Sequence, residues 1–299
     1  MKLAYRSEID GLRGLSVLGV LLFHLKYDLF SGGYLGVDVF IVISGFLITS
    51  IIYDNLKLDN FNFRDFFLRR ARRLLPSYFV VLLISLLFSY LFLLPEDLLK
   101  FSKSLLSSTI FVSNFFFWLT SGYWEEGSFN PLLHTWSLSL EWQFYFFLSV
   151  VSYLIWKISK VIFKNLLIFI LIFIISFSLA ILFIDRNISF FLLPFRLYEF
   201  LIGSFLFFLK DKNFKIISEY KNFLSFIAIG LILISFVLFD SLTQVPGYIS
   251  LIPCIGSALI ILIKDSIIHK FLRARYLVFI GLISYSLYLF HWPIITLYK

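Results

Sequence analysis

Charge and sulfur are what this 299-residue sequence has least of. Only 15% of its residues are charged, and Cys254 is its single cysteine. One thiol excludes a disulfide framework and a thiolate metal cluster. With 60% hydrophobic residues, 21% aromatics and a mean hydropathy of +0.94, the chain is no ordinary soluble domain. Such domains run at about 45–50% apolar and about 25% charged. No internal repeat or low-complexity linker is visible, and no appended soluble domain is expected. The first apolar run is not a cleavable signal, because Glu8, Asp10 and Arg13 break its start and no A-x-A-like site follows. The net charge of +8 does not call for a nucleic acid, since the basic residues sit in short loops between apolar runs.

What is present is a series of apolar runs about 20 residues long, the length that crosses a 30 Å hydrocarbon core as a helix. They fall at 14–27, 35–53, 75–94, 138–156, 166–184, 189–209, 223–239, 247–263 and 277–298, with a further candidate at 102–119. The expected fold class is therefore all-α, a polytopic membrane bundle of nine to ten segments forming one domain over 1–299. The loop between the second and third runs carries Lys57, Arg64, Arg69, Arg70, Arg72 and Arg73, which marks it as cytoplasmic and places the N-terminus inside. Three later basic loops, around Lys157–Lys164, Lys210–Lys221 and Lys264–Arg275, fall on the same side only if 102–119 does not cross. Nine spans and one non-crossing segment in the cytoplasmic (inner) membrane are the expectation.

Polar residues inside such runs are costly and are functional candidates by default. In "GLRGLSVLGVLLFHLKYDL", Arg13 and His24 are eleven residues apart, about 16 Å and three turns along one helical face. An inner cation and a deeper base suit the wall of a polar channel, with a snorkelling Arg13 and a packed His24 as the plainer alternatives. "FFLRRARRLLP" packs Arg69, Arg70, Arg72 and Arg73 into five positions. They orient the helix, and they also fit multidentate phosphate binding. "PLLHTWSLSLEWQFYF" brings His134, Trp136, Ser137 and Glu141 into the mouth of a span, where Trp and Tyr serve equally as an interfacial belt. Arg196 and Glu199, three apart in "LPFRLYEFLIGS", form either an internal ion pair or part of a site. In "GLISYSLYLFHWP", Tyr285 and His291 recur at helical spacing with further hydroxyls.

These stretches together resemble the membrane acyltransferase-3 family, which includes surface-polysaccharide and O-antigen O-acetylases. The resemblance runs through "EIDGLRGLSVLGVLLFH", "GGYLGVDVFIVISGFLIT", "FRDFFLRRARRLLP", "PLLHTWSLSLEWQFY", "RLYEFLIGS" and "SYSLYLFHWP", in the family's order. It implies transfer of an acyl group, usually acetyl from cytoplasmic acetyl-CoA, to a hydroxyl of a cell-surface or lipid-linked glycan, with no metal. On that resemblance His24, Arg13 and Glu141 are catalytic, and Arg69, Arg70, Arg72 and Arg73 hold the CoA phosphates. Asp38, His134, Trp136, Ser137, Arg196, Glu199, Tyr285 and His291 line the substrate path. His24 is either a general base or a covalent acyl relay. The resemblance also implies one more apolar span after "SYSLYLFHWP", so the chain is expected to lack a last helix. A separate extra-cytoplasmic acyltransferase would be its partner if one is needed. The competing class is a transporter or flippase of a glycan or lipid-linked sugar, which has less use for clustered arginines beside a deep histidine.

Overall fold

The computed structural model describes residues 5–120, 130–158, 167–168, 170–172, 174–175, 178, 185–212 and 214–298. Among these every regular element is helical. The longer helices are α1 (Ser7–His24), α2 (Gly36–Lys57), α3 (Phe63–Phe92), α4 (Pro95–Thr109), α5 (Ser113–Thr120) and α6 (Thr135–Ile158). Further along the chain come α7 (Arg186–Phe191), α8 (Leu193–Leu209), α9 (Lys215–Glu219), α10 (Lys221–Leu238) and α11 (Tyr248–Leu262). Then α12 (Ile267–Leu272), α13 (Arg275–Leu282) and α14 (Ser284–Tyr298) complete the order.

Four helices among the described residues are long and apolar enough to cross a bilayer: Gly33–Lys57, Phe63–Phe92, Thr135–Ile158 and Lys221–Leu238. A fifth arises if α13 and α14, bent by 66° at Ile283, count as one broken span. The chain is thus an all-helical membrane protein, and the expected count of nine is not reproduced. The reasons are local. Helix α1 starts at Ser7 rather than at 14 and so includes Glu8, Asp10 and Arg13. Helices α8 and α11 are only 17 and 15 residues long, and 166–184 falls largely outside the described residues.

Two further boundaries differ from expectation. The basic segment before residue 75 is not a loop: α3 runs unbroken from Asn62, whose side chain caps the Asp65 amide, through the arginines and Pro76. Segment 102–119 is two helices, broken where Phe111 takes a φ of 58°. At 15 and 8 residues they span about 22 Å and about 12 Å, so neither alone covers a 30 Å core. The break is docked on α6, whose Gln143 Nε2 donates to the Phe111 carbonyl at 3.2 Å and to Asn114 Oδ1 at 2.8 Å. Ser113 and Ser139 hydroxyls meet at 2.8 Å beside it.

The centre is the contact of α2 with α8. A Cβ on Gly45 would collide with the Phe200 carbonyl, and one on Gly203 with the Val42 carbonyl, so the two backbones touch. Small residues permit such approach where lipid offers no hydrophobic drive between helices. Beside this contact Arg196 Nη1 donates to Asp38 Oδ1 and to Glu199 Oε1, both at 2.9 Å. Its Nε donates to the Phe190 carbonyl at 3.2 Å, and its guanidinium lies 5.3 Å from the Trp136 ring. Arg196, Asp38 and Glu199 are all buried.

Removing the shared cation alone should be worse than removing all three charges. Arg196→Met is expected to destabilise by roughly 3–5 kcal/mol, because it strands two buried carboxylates. Asp38→Asn with Arg196→Met and Glu199→Gln should recover most of that loss, as read by denaturant melts of the detergent-purified protein.

Candidate active site

Helix α3 presents Arg70, Arg73, Leu74 and Ser77 along one face, the i, i+3, i+4, i+7 pattern of a single stripe. That face lines a cavity of about 290 Å³ shared with α1, α2, α6, α13 and α14. Arg13 of α1 enters the same cavity, so three guanidiniums converge. Arg13 has a carboxylate of its own, Asp10 at 3.6 Å. Arg70 does not: its Nε is buried and has no hydrogen-bond partner among the described residues. An orphaned guanidinium donor inside an apolar bundle is unfavourable unless an anion supplies the acceptor.

Across the cavity stands Glu141 of α6. Its Oε1 accepts from Ser44 Oγ of α2 at 2.5 Å and from the Tyr145 hydroxyl one turn on. The carboxylate is thereby fixed rather than free to swing. Further along the same wall, Ser137 Oγ and Tyr288 OH meet at 2.7 Å, and Tyr288 OH also donates to the His134 carbonyl at 3.2 Å. Ser137 and Tyr288 are both part of the cavity lining.

Outside the lining, grouped around Tyr288 and His291, lie three histidines. His24 is the last residue of α1, because Lys26 adopts a left-handed φ of 57° that ends the helix. It is half-buried, with exposed Leu25 and Lys26 following, so it sits at a helix end and not deep within a span. His24 Nδ1 lies 3.2 Å from His291 Nε2, and His291 Nδ1 lies 2.5 Å from the Tyr288 carbonyl. Trp292 presents its ring to His24 at 4.7 Å and is itself anchored by its indole N–H on the Asn130 carbonyl at 2.8 Å. His134 packs 5.9 Å from His291, and neither of its ring nitrogens has a partner among the described residues.

The family profile described as an acyltransferase domain matches residues 6–299. The chain belongs to the acyltransferase-3 family. A Staphylococcus aureus protein provisionally named an O-acetyltransferase is 35% identical over 320 aligned positions, covering 99% of this chain and 51% of its own length. The O-acetyltransferase OatA of the same species is 32% identical over 313 positions, covering 98% of this chain and 51% of its own length. The chain therefore spans about half the length of the curated relatives it matches. No solved structure matches it.

In this family member the expected site residues fall into three groups. Arg13, Arg70, Arg73, Ser137, Glu141 and Tyr285 line the cavity, Tyr285 donating its hydroxyl to the Leu74 carbonyl at 2.9 Å. His24, His134 and His291 form the histidine group beyond it. Asp38, Trp136, Arg196 and Glu199 make the buried ion cluster and are not in the cavity wall. Arg69 and Arg72 point elsewhere, being exposed on the far side of α3. Sequence reasoning did not pick out Ser44, Ser77 or Trp292, and it placed Tyr145 among the aromatics near Glu141 and Tyr288 among the hydroxyls of the last span without giving either a role. Helical spacing was the available signal: Ser44 is two turns along from Val37 and Tyr288 is one turn before His291.

A water-open cavity makes a direct prediction about thiol access. Ser77→Cys should react with a small membrane-impermeant methanethiosulfonate reagent at least tenfold faster than the buried native Cys254. Intact-protein mass spectrometry before and after labelling reads both.

Proposed function

We propose that the chain is the membrane-embedded part of an O-acetyltransferase, moving an acetyl group from cytoplasmic acetyl-CoA to a hydroxyl of a cell-surface or lipid-linked glycan. The observation that carries this reading is the convergence of Arg13, Arg70 and Arg73 with an unpartnered Arg70 Nε in one cavity of an otherwise apolar bundle. Guanidiniums pair with phosphate oxygens through planar, charge-assisted bonds. In this reading the three arginines grip the donor's phosphates, while Arg69 and Arg72 stand outside toward the nucleotide. At about 290 Å³ the cavity has room for part of such a donor and leaves the rest at its mouth.

The arginine end faces the cytoplasm in this proposal, in keeping with the basic residues on α3 and in the later loops. The histidine end faces the acceptor. Arg13 and His24 lie about 16 Å apart along α1, a distance of the order of an extended pantetheine arm. His24 acts as general base: its ring takes the acceptor's hydroxyl proton as the carbon–oxygen bond forms and the carbon–sulfur bond breaks. The proton is then delivered to the departing thiolate, so that ester and CoA are the only products. Glu141, held by Ser44 and Tyr145, balances the positive charge of the arginine wall.

Membranes containing this protein, given radiolabelled acetyl-CoA and a glycan extract of the source cell, should transfer label to glycan. His24→Ala should abolish transfer, by about 10²-fold or more. Label lost equally in parent and variant, with intact folding and retained glycan binding, would overturn the enzyme in favour of a glycan transporter. Arg70→Gln and Arg73→Gln should each weaken CoA binding about tenfold, the worth of one charge-assisted hydrogen bond. Arg69→Gln should change it little. Equilibrium dialysis with labelled CoA measures all three.

A further inference from the structure

We propose that His291 is the positioning residue of His24, and that it does so by dictating which ring nitrogen of His24 carries the proton. The assignment rests on reading His24 as the reacting base, and the geometry supplies the rest. A carbonyl oxygen can only accept, so the Tyr288 carbonyl 2.5 Å from His291 Nδ1 requires a proton on that nitrogen. A neutral imidazole has one N–H, so His291 Nε2 is an acceptor. The nitrogen facing it at 3.2 Å, His24 Nδ1, is therefore the donor. His24 is held in its Nδ1–H tautomer, which places the basic lone pair on Nε2.

Packing makes this a fixed relation. His291 is buried at 6% exposure, with the Tyr288 ring 5.3 Å away. Its carbonyl partner lies three residues earlier on its own helix, so ring and anchor move together. His24, by contrast, ends α1, and the Phe23 and Trp292 rings flank it at 4.9 Å and 4.7 Å. The chain from the Tyr288 carbonyl through His291 to His24 orients the base as a carboxylate does in a Ser-His-Asp triad, but adds no charge to an apolar region. No ion pair is recorded for His291 among the described residues.

His269 provides an internal control. Its Nε2 lies 3.0 Å from the Ile260 carbonyl and its Nδ1 lies 2.7 Å from Ser266 Oγ, which forces the opposite tautomer. Burial pushes its pKa below the ordinary value, so it stays neutral near pH 7.

With only four histidines, ring-nitrogen NMR of ¹⁵N-histidine-labelled protein in nanodiscs can be assigned by single substitutions. The parent should show His24 protonated at Nδ1 and His269 at Nε2. His291→Phe, which keeps the shape and removes the acceptor, should shift His24 toward the Nε2–H form. His291→Gln, whose amide oxygen stands where Nε2 accepted, should restore the Nδ1–H form. An unchanged His269 signal reports that each variant is folded. In acetyl transfer, His291→Phe should lower kcat about 10²-fold with KM for acetyl-CoA within about twofold, and His291→Gln should recover most of the loss. A parent His24 protonated at Nε2, or a His24 signal indifferent to His291→Phe, overturns the proposal. If the tautomers behave as expected but no glycan is labelled even by the parent, the transferase reading falls and the His291–His24 relation stands.

Discussion

The Arg196 guanidinium is 1% exposed, and it is tolerated because two carboxylates, a carbonyl and two aromatic faces surround it. Compensation of charge in an apolar bundle is the constraint from which the remaining architecture follows. It sets the position of α8 against α2, since the Asp38–Arg196 pair spans the same contact that Gly45 and Gly203 draw tight. It also separates two kinds of arginine. Arg196 is answered from within the chain. Arg70 retains a buried, unanswered Nε beside two other cations, and an exogenous anion is the natural completion.

The histidine group obeys a milder form of the same rule. Imidazoles can be satisfied neutral, so a carbonyl and a second ring suffice where a guanidinium needs a carboxylate. Tyr288 joins the two halves of the site: its carbonyl anchors His291, while its hydroxyl meets Ser137 in the lining of the arginine cavity. A single residue of α14 thus touches both the arginine-lined cavity and the histidine group.

Membrane character, helical class and family membership were legible in the sequence, because apolar length and motif order survive any detail of packing. Arg13, Arg70, Arg73 and Glu141, which line one cavity, were legible as candidates for the same reason: charge in an apolar run stands out. Which arginines share a wall was not, since Arg69 and Arg72 differ from Arg70 and Arg73 only by rotation about α3, and that rotation is fixed by tertiary packing. Pairing of His24 with His291 lies 267 residues apart in sequence and leaves no local trace. Asp38, Trp136, Arg196 and Glu199 carried a polar signal that did not reveal its kind, and the structure gathers them into one cluster away from the cavity. Boundaries were misjudged where polar side chains are self-compensating. Glu8 accepts from Arg6 and Arg273, which lets α1 begin inside a charged stretch. Asn62 caps the start of α3, which lets helix replace the expected loop.

Helix α3 leans on α4 and α14 and presents an apolar flank, Phe79, Leu83, Leu87 and Leu91 among it, to the surroundings. It makes scarcely any direct contact with α1. An anion gripped by Arg13 on one helix and by Arg70 and Arg73 on the other would bridge two elements that otherwise hardly meet. Coupling of this kind is reciprocal: whatever presses α3 inward strengthens the grip, and the grip holds α3 inward. Lipid tails would bear on that flank in a bilayer, and the lateral pressure of the bilayer would then be a variable of affinity for such an anion.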